Sequence, residues 1–423
     1  MSHRRMHASI LVAGAGPAGM AACWAAARSG AQVTLIDSNP LPGGQIWRGA
    51  KPMDRLSKRW LDRFANNVPG TIVVARIVSA EPENKKLLAE LPGSGSIAIT
   101  YDKLILATGA RERFLPFPGW TLPGVVGAGG LQALVKSGLD IRGKRVVLAG
   151  SGPLLLAVAD LLRGNDANVV LIAEQATGAS VRRFGLKLAA SPDKLAQALA
   201  LWARLAAIPY LTDCWVESTE GTEGLRRVRV RQGERRWTVD CDYLGTGFGL
   251  VPNAELAQLL GCETSPAGVT VDEFQETNAS GVYCAGEAAG IGGVDKSVVE
   301  GSIAGYAAAG DEDAARALFG QRAGTHQFAE AMEEAFVLRD ELRSLATPET
   351  IVCRCEDVTL AEMSGHECWR DAKLQSRCGM GRCQGRICGP VAGFLKGWPP
   401  APAKSPIYPA RVGTLVAEDE VKS

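Results

Sequence analysis

Long apolar runs are absent from this 423-residue chain. No stretch reaches the about 18 consecutive apolar residues of a membrane-crossing helix, so no such helix is expected. Net charge is nearly absent as well. The 46 Lys and Arg offset 45 Asp and Glu, leaving a formal +1. That balance supplies no electrostatic pull toward nucleic acid or an anionic membrane. Histidine is scarce: His3, His7, His326 and His366 are all there is, and none lies in a cofactor motif. With them goes the commonest general base, and no nucleophile or amino-acid carboxylate clamp stands out, so no catalytic side chain is assigned. No Cys-x-x-Cys accompanies the glycine turns. Cys23, Cys214, Cys241, Cys262 and Cys284 stand alone, which disfavours a dithiol mechanism and makes them core residues. The 11 cysteines show no secreted disulfide framework, and Ile10-Leu-Val-Ala13 reads as a strand rather than a signal sequence. Reduced thiols and a cytoplasmic setting are expected. There is no repeat array and no low-complexity block.

What is present is glycine in patterned turns. Residues 9–13 read as a buried strand, Gly14-Ala15-Gly16-Pro17-Ala18-Gly19 as a tight turn, residues 17–29 as a small-residue helix, and Val33-Thr-Leu-Ile-Asp37 as a second strand. This strand–turn–helix–strand unit suits a dinucleotide. The glycines allow close approach to a pyrophosphate, the helix N-terminus faces it, and Asp37 can accept from ribose hydroxyls. Ser38 follows it directly. A second unit lies about 135 residues later: Arg145-Val-Val-Leu-Ala149, Gly150-Ser-Gly152-Pro, a Leu/Ala helix, and Asn168-Val-Val-Leu-Ile172. Two copies point to two dinucleotide-type domains, and length alone calls for two or three domains.

FAD in the first unit is argued from the pieces that follow it. Pro42-Gly-Gly44-Gln45-Ile brings flexible backbone and a hydrogen-bonding amide near the ligand. Thr108-Gly109 ends a strand beside it. Gly286-Glu287 closes another, with its carboxylate set to meet ribityl or phosphate groups. A helix from Ser297 to Gly305 then aims at the flavin pyrimidine. The second unit is compromised. Leu155 stands where a third glycine is expected, and its side chain should push the helix from the strand. Glu174 can still hold a ribose hydroxyl, so the choice lies between a vestigial domain and one that keeps an adenine nucleotide for structure.

The C-terminal segment carries the sharper chemistry. Cys353-x-Cys355 and Cys383-x₄-Cys388 place four thiolates on two loops, a set that suits a [2Fe–2S] cluster. A structural zinc site is the alternative, although zinc pairs favour wider spacing such as C-x₂-C. Residues 384–387 are read as the opening of a helix whose dipole steadies the anionic cluster. Arg354, Arg377, Arg382 and Arg386 crowd the segment, and their charge favours the reduced cluster. Cys378 is a spare or alternative ligand, and Cys368 packs in the module. Residues 311–346 read as a charged helical bridge, and the proline-rich tail from Trp398 as an extended arm.

The order of motifs from residue 9 to about 310 resembles the two-dinucleotide-domain flavoprotein oxidoreductases, the class of thioredoxin and glutathione reductases. Val352-Cys-Arg-Cys-Glu-Asp-Val358 and Gly379-Met-Gly-Arg-Cys-Gln-Gly385 resemble the bacterioferritin-associated-ferredoxin type of [2Fe–2S] domain. Together with Gly150-Ser-Gly-Pro-Leu-Leu155 and Gly290-Ile-Gly-Gly293, they resemble the α subunits of bacterial hetero-oligomeric amine and amino-acid dehydrogenases. That family includes D-hydroxyproline dehydrogenase, opine oxidases, archaeal-type proline dehydrogenases and hydrogen cyanide synthase. The resemblance implies a catalytic flavoprotein β subunit that oxidises a C–N bond to an imine, often with a small iron–sulfur γ subunit. This chain is then one stage of the electron path. Cys378 departs from the pattern, where a small residue such as alanine is expected.

The expected fold is α/β: two dinucleotide-binding (Rossmann-like) domains of the glutathione/thioredoxin reductase type plus a small, mostly α iron–sulfur domain. The divisions are residues 1–118 with 245–325 for FAD, 119–244 for the second nucleotide-type domain, 326–346 for a helical linker, 347–396 for the cluster and 397–423 for the tail. A stand-alone NAD(P)H-dependent reductase feeding an external acceptor is the competing reading.

Overall fold

The computed structural model describes residues 3–49, 55–67, 70–93, 95–190, 192–399 and 401–419. The chain forms two compact units. One is Met1–Arg111 with Val251–Ala329 and Pro402–Ser423; the other is Glu112–Leu250 with Glu330–Ala401.

The first unit is built on a seven-stranded sheet. Its central strand, His3–Ala13, runs parallel to Val33–Asp37 on one side and Ser96–Leu106 on the other. Such a strand is covered on both faces, which is why residues 10–13 are apolar without alternation. Gly70–Val74 extends the parallel side. Lys86–Glu90 and Arg76–Glu81 add antiparallel strands, and Val282–Cys284 pairs with the end of Ser96–Leu106. The helix Pro17–Arg28 leaves the first strand at once, with Gly16 as N-cap and proline at its first position, where a missing N–H costs nothing.

It packs on the helix Gly293–Ala308 at backbone contact. A Cβ on Gly301 would lie 2.1 Å from the Ala18 carbonyl oxygen, and one on Gly305 2.3 Å from that of Ala22. This second helix starts at Gly293, one turn before the expected Ser297. The tail is an arm only in part. Ile407 is buried and its N–H donates to the Val78 carbonyl, and the helix Val412–Asp419 follows.

The second unit holds a parallel five-stranded sheet in the order Tyr210–Leu211, Asn168–Glu174, Arg145–Gly150, Tyr243–Gly247, Val125–Gly127. A three-stranded antiparallel sheet, Cys214–Glu220, Arg227–Gln232 and Arg235–Asp240, packs beside it. Leu155 packs between its helix and the sheet. It is fully buried, and Gly247 on the neighbouring strand makes the room: a Cβ there would stand 3.3 Å from Leu155 Cδ2. The bridge is helical over Glu312–Arg316 and Phe319–Ala335, irregular at residues 336–339, and a 3₁₀ turn at Asp340–Ser344.

The cysteine-bearing segment has its own small core, in which Val352, Met363, Trp369 and Val391 meet the buried cysteines. The hairpin Ile351–Cys353 with Val358–Thr359 is followed by the helices Leu360–Ser364, Trp369–Ser376 and Cys388–Lys396. The helix expected at residue 384 therefore begins four residues later. Gln384 and Gly385 have φ of 53° and 78°, and left-handed backbone cannot open a right-handed helix. No helix among the described residues is long and apolar enough to cross a membrane.

Candidate cofactor sites

The first glycine turn is an open cradle. Gly14 has φ of 113°, and a Cβ there would stand 2.2 Å from the Ala107 carbonyl oxygen, so only glycine fits. At Gly16 the nearest atom to an added Cβ is Gly44 Cα at 4.0 Å. Nothing in the fold itself demands glycine at that position, which leaves space for a ligand. Gly16 caps the helix without any side-chain acceptor, so the first-turn amides face that space as donors for an anion. Asp37 Oδ2 accepts from Ala15 N at 2.7 Å and Oδ1 from Asn39 N at 2.7 Å. The carboxylate is only half-buried, so its remaining lone pairs are reachable. Ser38 beside it is exposed.

Gly44 rests on this turn and begins the short helix Gly44–Trp47. Gln45 is exposed, and its Oε1 accepts from Arg48 at 3.4 Å, while the other Arg48 terminal nitrogen, Nη1, is buried with no protein partner. Thr108 and Gly109 are fixed by a residue the sequence did not single out, Asn253. Thr108 Oγ1 donates to the Asn253 carbonyl at 2.7 Å, Asn253 Nδ2 donates to the Thr108 carbonyl at 2.9 Å, and Asn253 N donates to the Gly109 carbonyl at 2.9 Å.

Glu287 follows Gly286, whose φ is 76°. Its Oε1 accepts from Gly293 N at 2.7 Å, and Oε2 is buried with no protein partner. Burial pushes this carboxyl above the ordinary range, against the pull of the Gly293 and Gly292 amides. A buried acceptor without a donor is what a ligand hydroxyl would satisfy. Behind it lies a network that sequence reading missed, although Lys296 and Glu300 stand four apart on one helix. Lys296 Nζ donates to Glu300 Oε2 at 2.8 Å and to the Gly290 carbonyl at 2.9 Å. Glu300 Oε2 accepts from Gly286 N at 3.0 Å, and its Oε1 meets His326 Nε2 at 2.8 Å. His326 thus braces the Gly286–Glu287 turn. These glycines, the reachable Asp37 carboxylate and the orphaned polar atoms of Glu287 and Arg48 fit a flavin dinucleotide in chemistry.

The second glycine turn differs where it matters. Glu174 is fully buried, and both oxygens are taken: Oε2 by Gly152 N at 2.7 Å and Oε1 by Ala176 N at 2.8 Å. It is sealed from a ribose, contrary to the expectation from sequence, because it is fully buried, whereas Asp37, which caps its own turn with the same two backbone bonds, is half-buried. Desolvation pushes its pKa up to about 7. The bridge covers the turn itself. Ser151 Oγ donates to the Phe336 carbonyl at 3.1 Å, and Gln175 Nε2 donates to that of Val337 at 3.1 Å. Arg339 N donates to Gln175 Oε1 at 3.1 Å. The Phe336 side chain stands 3.6 Å from where a Gly152 Cβ would be. Gly150 and Gly152 are therefore roofed by residues 336–339 of this same chain.

Five sulfurs gather in the C-terminal segment. Cys353, Cys378 and Cys388 are buried with their Sγ atoms within 4.8 Å of one another. Cys355 is exposed, and Cys383 is half-buried. Gly379 N donates to Cys353 Sγ at 3.5 Å. The neighbouring Cys378 first and Cys388 next hold the Cys353 thiol well below the ordinary thiol range, against desolvation by burial. Trp369, unremarked in the sequence, packs over Gly379 and Gly385 and shapes the loop. Arg377 is ion-paired with Glu356 at 2.7 Å, so part of the expected positive field is neutralised. The donor set is all thiol and fits an iron–sulfur cluster in chemistry.

Comparison with known proteins identifies the family. The pyridine nucleotide-disulphide oxidoreductase family model matches residues 8–312. An opine oxidase subunit of Rhizobium meliloti (strain 1021) is 34% identical over 90% of this chain and 90% of its own length. The hydrogen cyanide synthase subunit HcnB of Pseudomonas aeruginosa is 30% identical over 90% and 91% respectively. Among solved structures, L-proline dehydrogenase from P. horikoshii superposes with a TM-score of 0.67 at 19% identity, covering 98% of this chain and 80% of that one.

Proposed function

Because the chain belongs to the pyridine nucleotide-disulphide oxidoreductase family and is an FAD-dependent oxidoreductase, we propose that it is the electron-transfer α subunit of a multi-subunit dehydrogenase. On this reading it holds FAD at the first glycine turn and a [2Fe–2S] cluster at residues 347–396. The FAD-binding part is residues 1–118 with 245–325, and residues 119–244 form a nucleotide-type domain that has lost nicotinamide binding. The partner is a catalytic flavoprotein β subunit, with a small iron–sulfur γ subunit, in the cytoplasm. The substrate sits on the partner and is an amino acid or amine of the D-hydroxyproline, opine or glycine class. Oxidation of its C–N bond to the imine releases two electrons, which this chain passes on.

One contrast carries the reading: the first turn is open, while residues 336–339 roof the second. When bound, FAD accepts electrons in pairs and a [2Fe–2S] cluster relays them singly. The residues do the placing. The Pro17–Arg28 amides and Gly16 take the pyrophosphate, Asp37 the adenosine ribose, Glu287 a ribityl hydroxyl, and Thr108-Gly109 the ring edge. Cys353, Cys355, Cys383 and Cys388 hold the iron. The family name favours the second reading, an NAD(P)H-driven reductase, and the roof over Gly150-Ser-Gly152 argues against it. Mixing the anaerobic, flavin-loaded chain with NADH or NADPH tests the choice. Persistence of the flavin absorbance supports the relay, and prompt bleaching supports the reductase.

A further inference from the structure

We infer that the exposed side of the cysteine module, where Arg354, Cys355, Met380 and Arg382 meet, is a docking face for an acidic one-electron carrier protein. The inference rests on the [2Fe–2S] reading above and extends it to the electron's exit.

The four cysteines proposed as ligands are not equally covered. Cys353 and Cys388 are buried with Val352, Trp369 and Val391. Cys383 is half-buried, and Cys355 is exposed. A cluster held by these sulfurs meets solvent on the Cys355 side. Electron tunnelling weakens steeply with distance, so a carrier gains most by docking there. The second cysteine loop lies against that sulfur. Gly381 is buried, and a Cβ added to it would stand 3.3 Å from Cys355 Sγ. Met380 and Arg382, on either side of it, are both exposed. Two turns hold them in place: Met380 N donates to the Arg377 carbonyl at 2.9 Å, and Gln384 N to that of Gly381 at 2.8 Å.

Charge and composition indicate what docks. The chain as a whole is balanced, yet no Asp or Glu occurs from residue 372 to 417, where Lys373, Arg377, Arg382, Arg386 and Lys396 all fall. On the first cysteine loop Arg354 donates to the Thr121 carbonyl at 3.4 Å, a neutral partner that leaves its charge in place. Glu356 offsets Arg377, and Asp357 is the other acid of that loop. Thiolates bring negative charge of their own, but most of it lies deeper than the guanidinium groups. With screening over about 8 Å at physiological salt, the outermost charges dominate for an approaching protein. Met380 is 40% exposed, so the face combines methionine with arginine. Those are residue types enriched where proteins meet, while Lys and Glu are depleted there. Electron-transfer encounters are small and weak and depend on charge for their rate, so a patch of this size suffices. In the step itself one electron leaves the reduced cluster and reduces the carrier; no bond forms or breaks.

The test uses the full chain, purified anaerobically, as wild type, as Arg354→Glu/Arg382→Glu and as the neutral Arg354→Gln/Arg382→Gln. Oxidised cytochrome b5, an acidic haem protein, is the probe, and the basic cytochrome c is the control. Binding is read from the anisotropy of the labelled probe, and electron passage by stopped-flow absorbance after dithionite reduction of the chain. Iron and labile sulfide are assayed in every sample. Wild type is expected to bind and reduce cytochrome b5 with a rate constant that falls roughly tenfold or more as salt is raised. The Glu variant should keep iron and sulfide, lose about as much at low salt, and match wild type at high salt, with the Gln variant between them. Equal binding and rate in wild type and both variants at low salt would overturn the inference. So would a preference for cytochrome c, or binding to phosphatidylglycerol vesicles in place of cytochrome b5. A wild-type chain without iron and sulfide would overturn the functional reading and the electron step with it, while arginine-dependent binding on the same sample reports on the face separately.

Discussion

The sealed carboxyl of Glu174 makes a quantitative demand on stability. It is fully buried, and desolvation raises its pKa from the ordinary 4.5 to about 7. Between those values the folded chain keeps a proton that the unfolded chain has released. Stability is therefore fully present below pH 4.5 and is lost as pH rises through about 7. At roughly 1.4 kcal/mol per pH unit, the full effect is about 3 kcal/mol. Glu174→Gln mimics the protonated form at every pH. Its amide sets an N–H against one of the two backbone donors, Gly152 or Ala176, at a constant cost of about 1–3 kcal/mol. That cost cancels when pH values are compared. Urea unfolding of wild type and variant between pH 5 and 8.5 is the assay, and the variant should gain about 2–3 kcal/mol relative to wild type toward alkaline pH, closing or reversing the gap between them. Parallel curves would refute the assignment, and with it the claim that this acid is a structural cap rather than a ribose ligand.

Other perturbations separate the sites. Gly16→Val meets no protein atom closer than Gly44 Cα at 4.0 Å to its Cβ, so the fold should survive while flavin content falls roughly tenfold or more, a loss of ~1.4 kcal/mol or more in binding. Unchanged flavin in that variant contradicts the cradle. Cys383→Ser should abolish iron and sulfide while FAD stays bound, and loss of both cofactors would contradict the independence of the two sites. Lys296→Met leaves Glu300, 1% exposed, without its buried counter-charge, and should cost about 3–5 kcal/mol in urea unfolding. A cost under about 1 kcal/mol would mean that His326 alone satisfies the carboxylate.

Local patterns were legible in the sequence; long-range neighbours were not. Gly14, Gly19, Asp37 and Gly286 announced themselves because a tight turn and a close backbone approach admit few residue types. The apolar run at residues 10–13 and the small-residue helix after it were readable for the same reason. Asn253 was invisible, because what it fixes, Thr108-Gly109, lies 145 residues away along the chain. Leu155 was legible only in part: its packing partner Gly247 is brought to it by the sheet alone. The roof of residues 336–339 left no motif, since it bonds through backbone carbonyls that any sequence possesses. The helix start at Cys388 was misplaced by four residues because the left-handed turn at Gln384 has no sequence mark of its own.

The most direct test of the account is the visible spectrum of the anaerobically purified chain, with iron and labile-sulfide analysis, before and after adding NADH. The account predicts flavin bands with about two irons and two sulfides per chain, and a spectrum that NADH leaves unchanged. Flavin absorbance that bleaches promptly with NADH would contradict it, because the second turn would then be a working nicotinamide site.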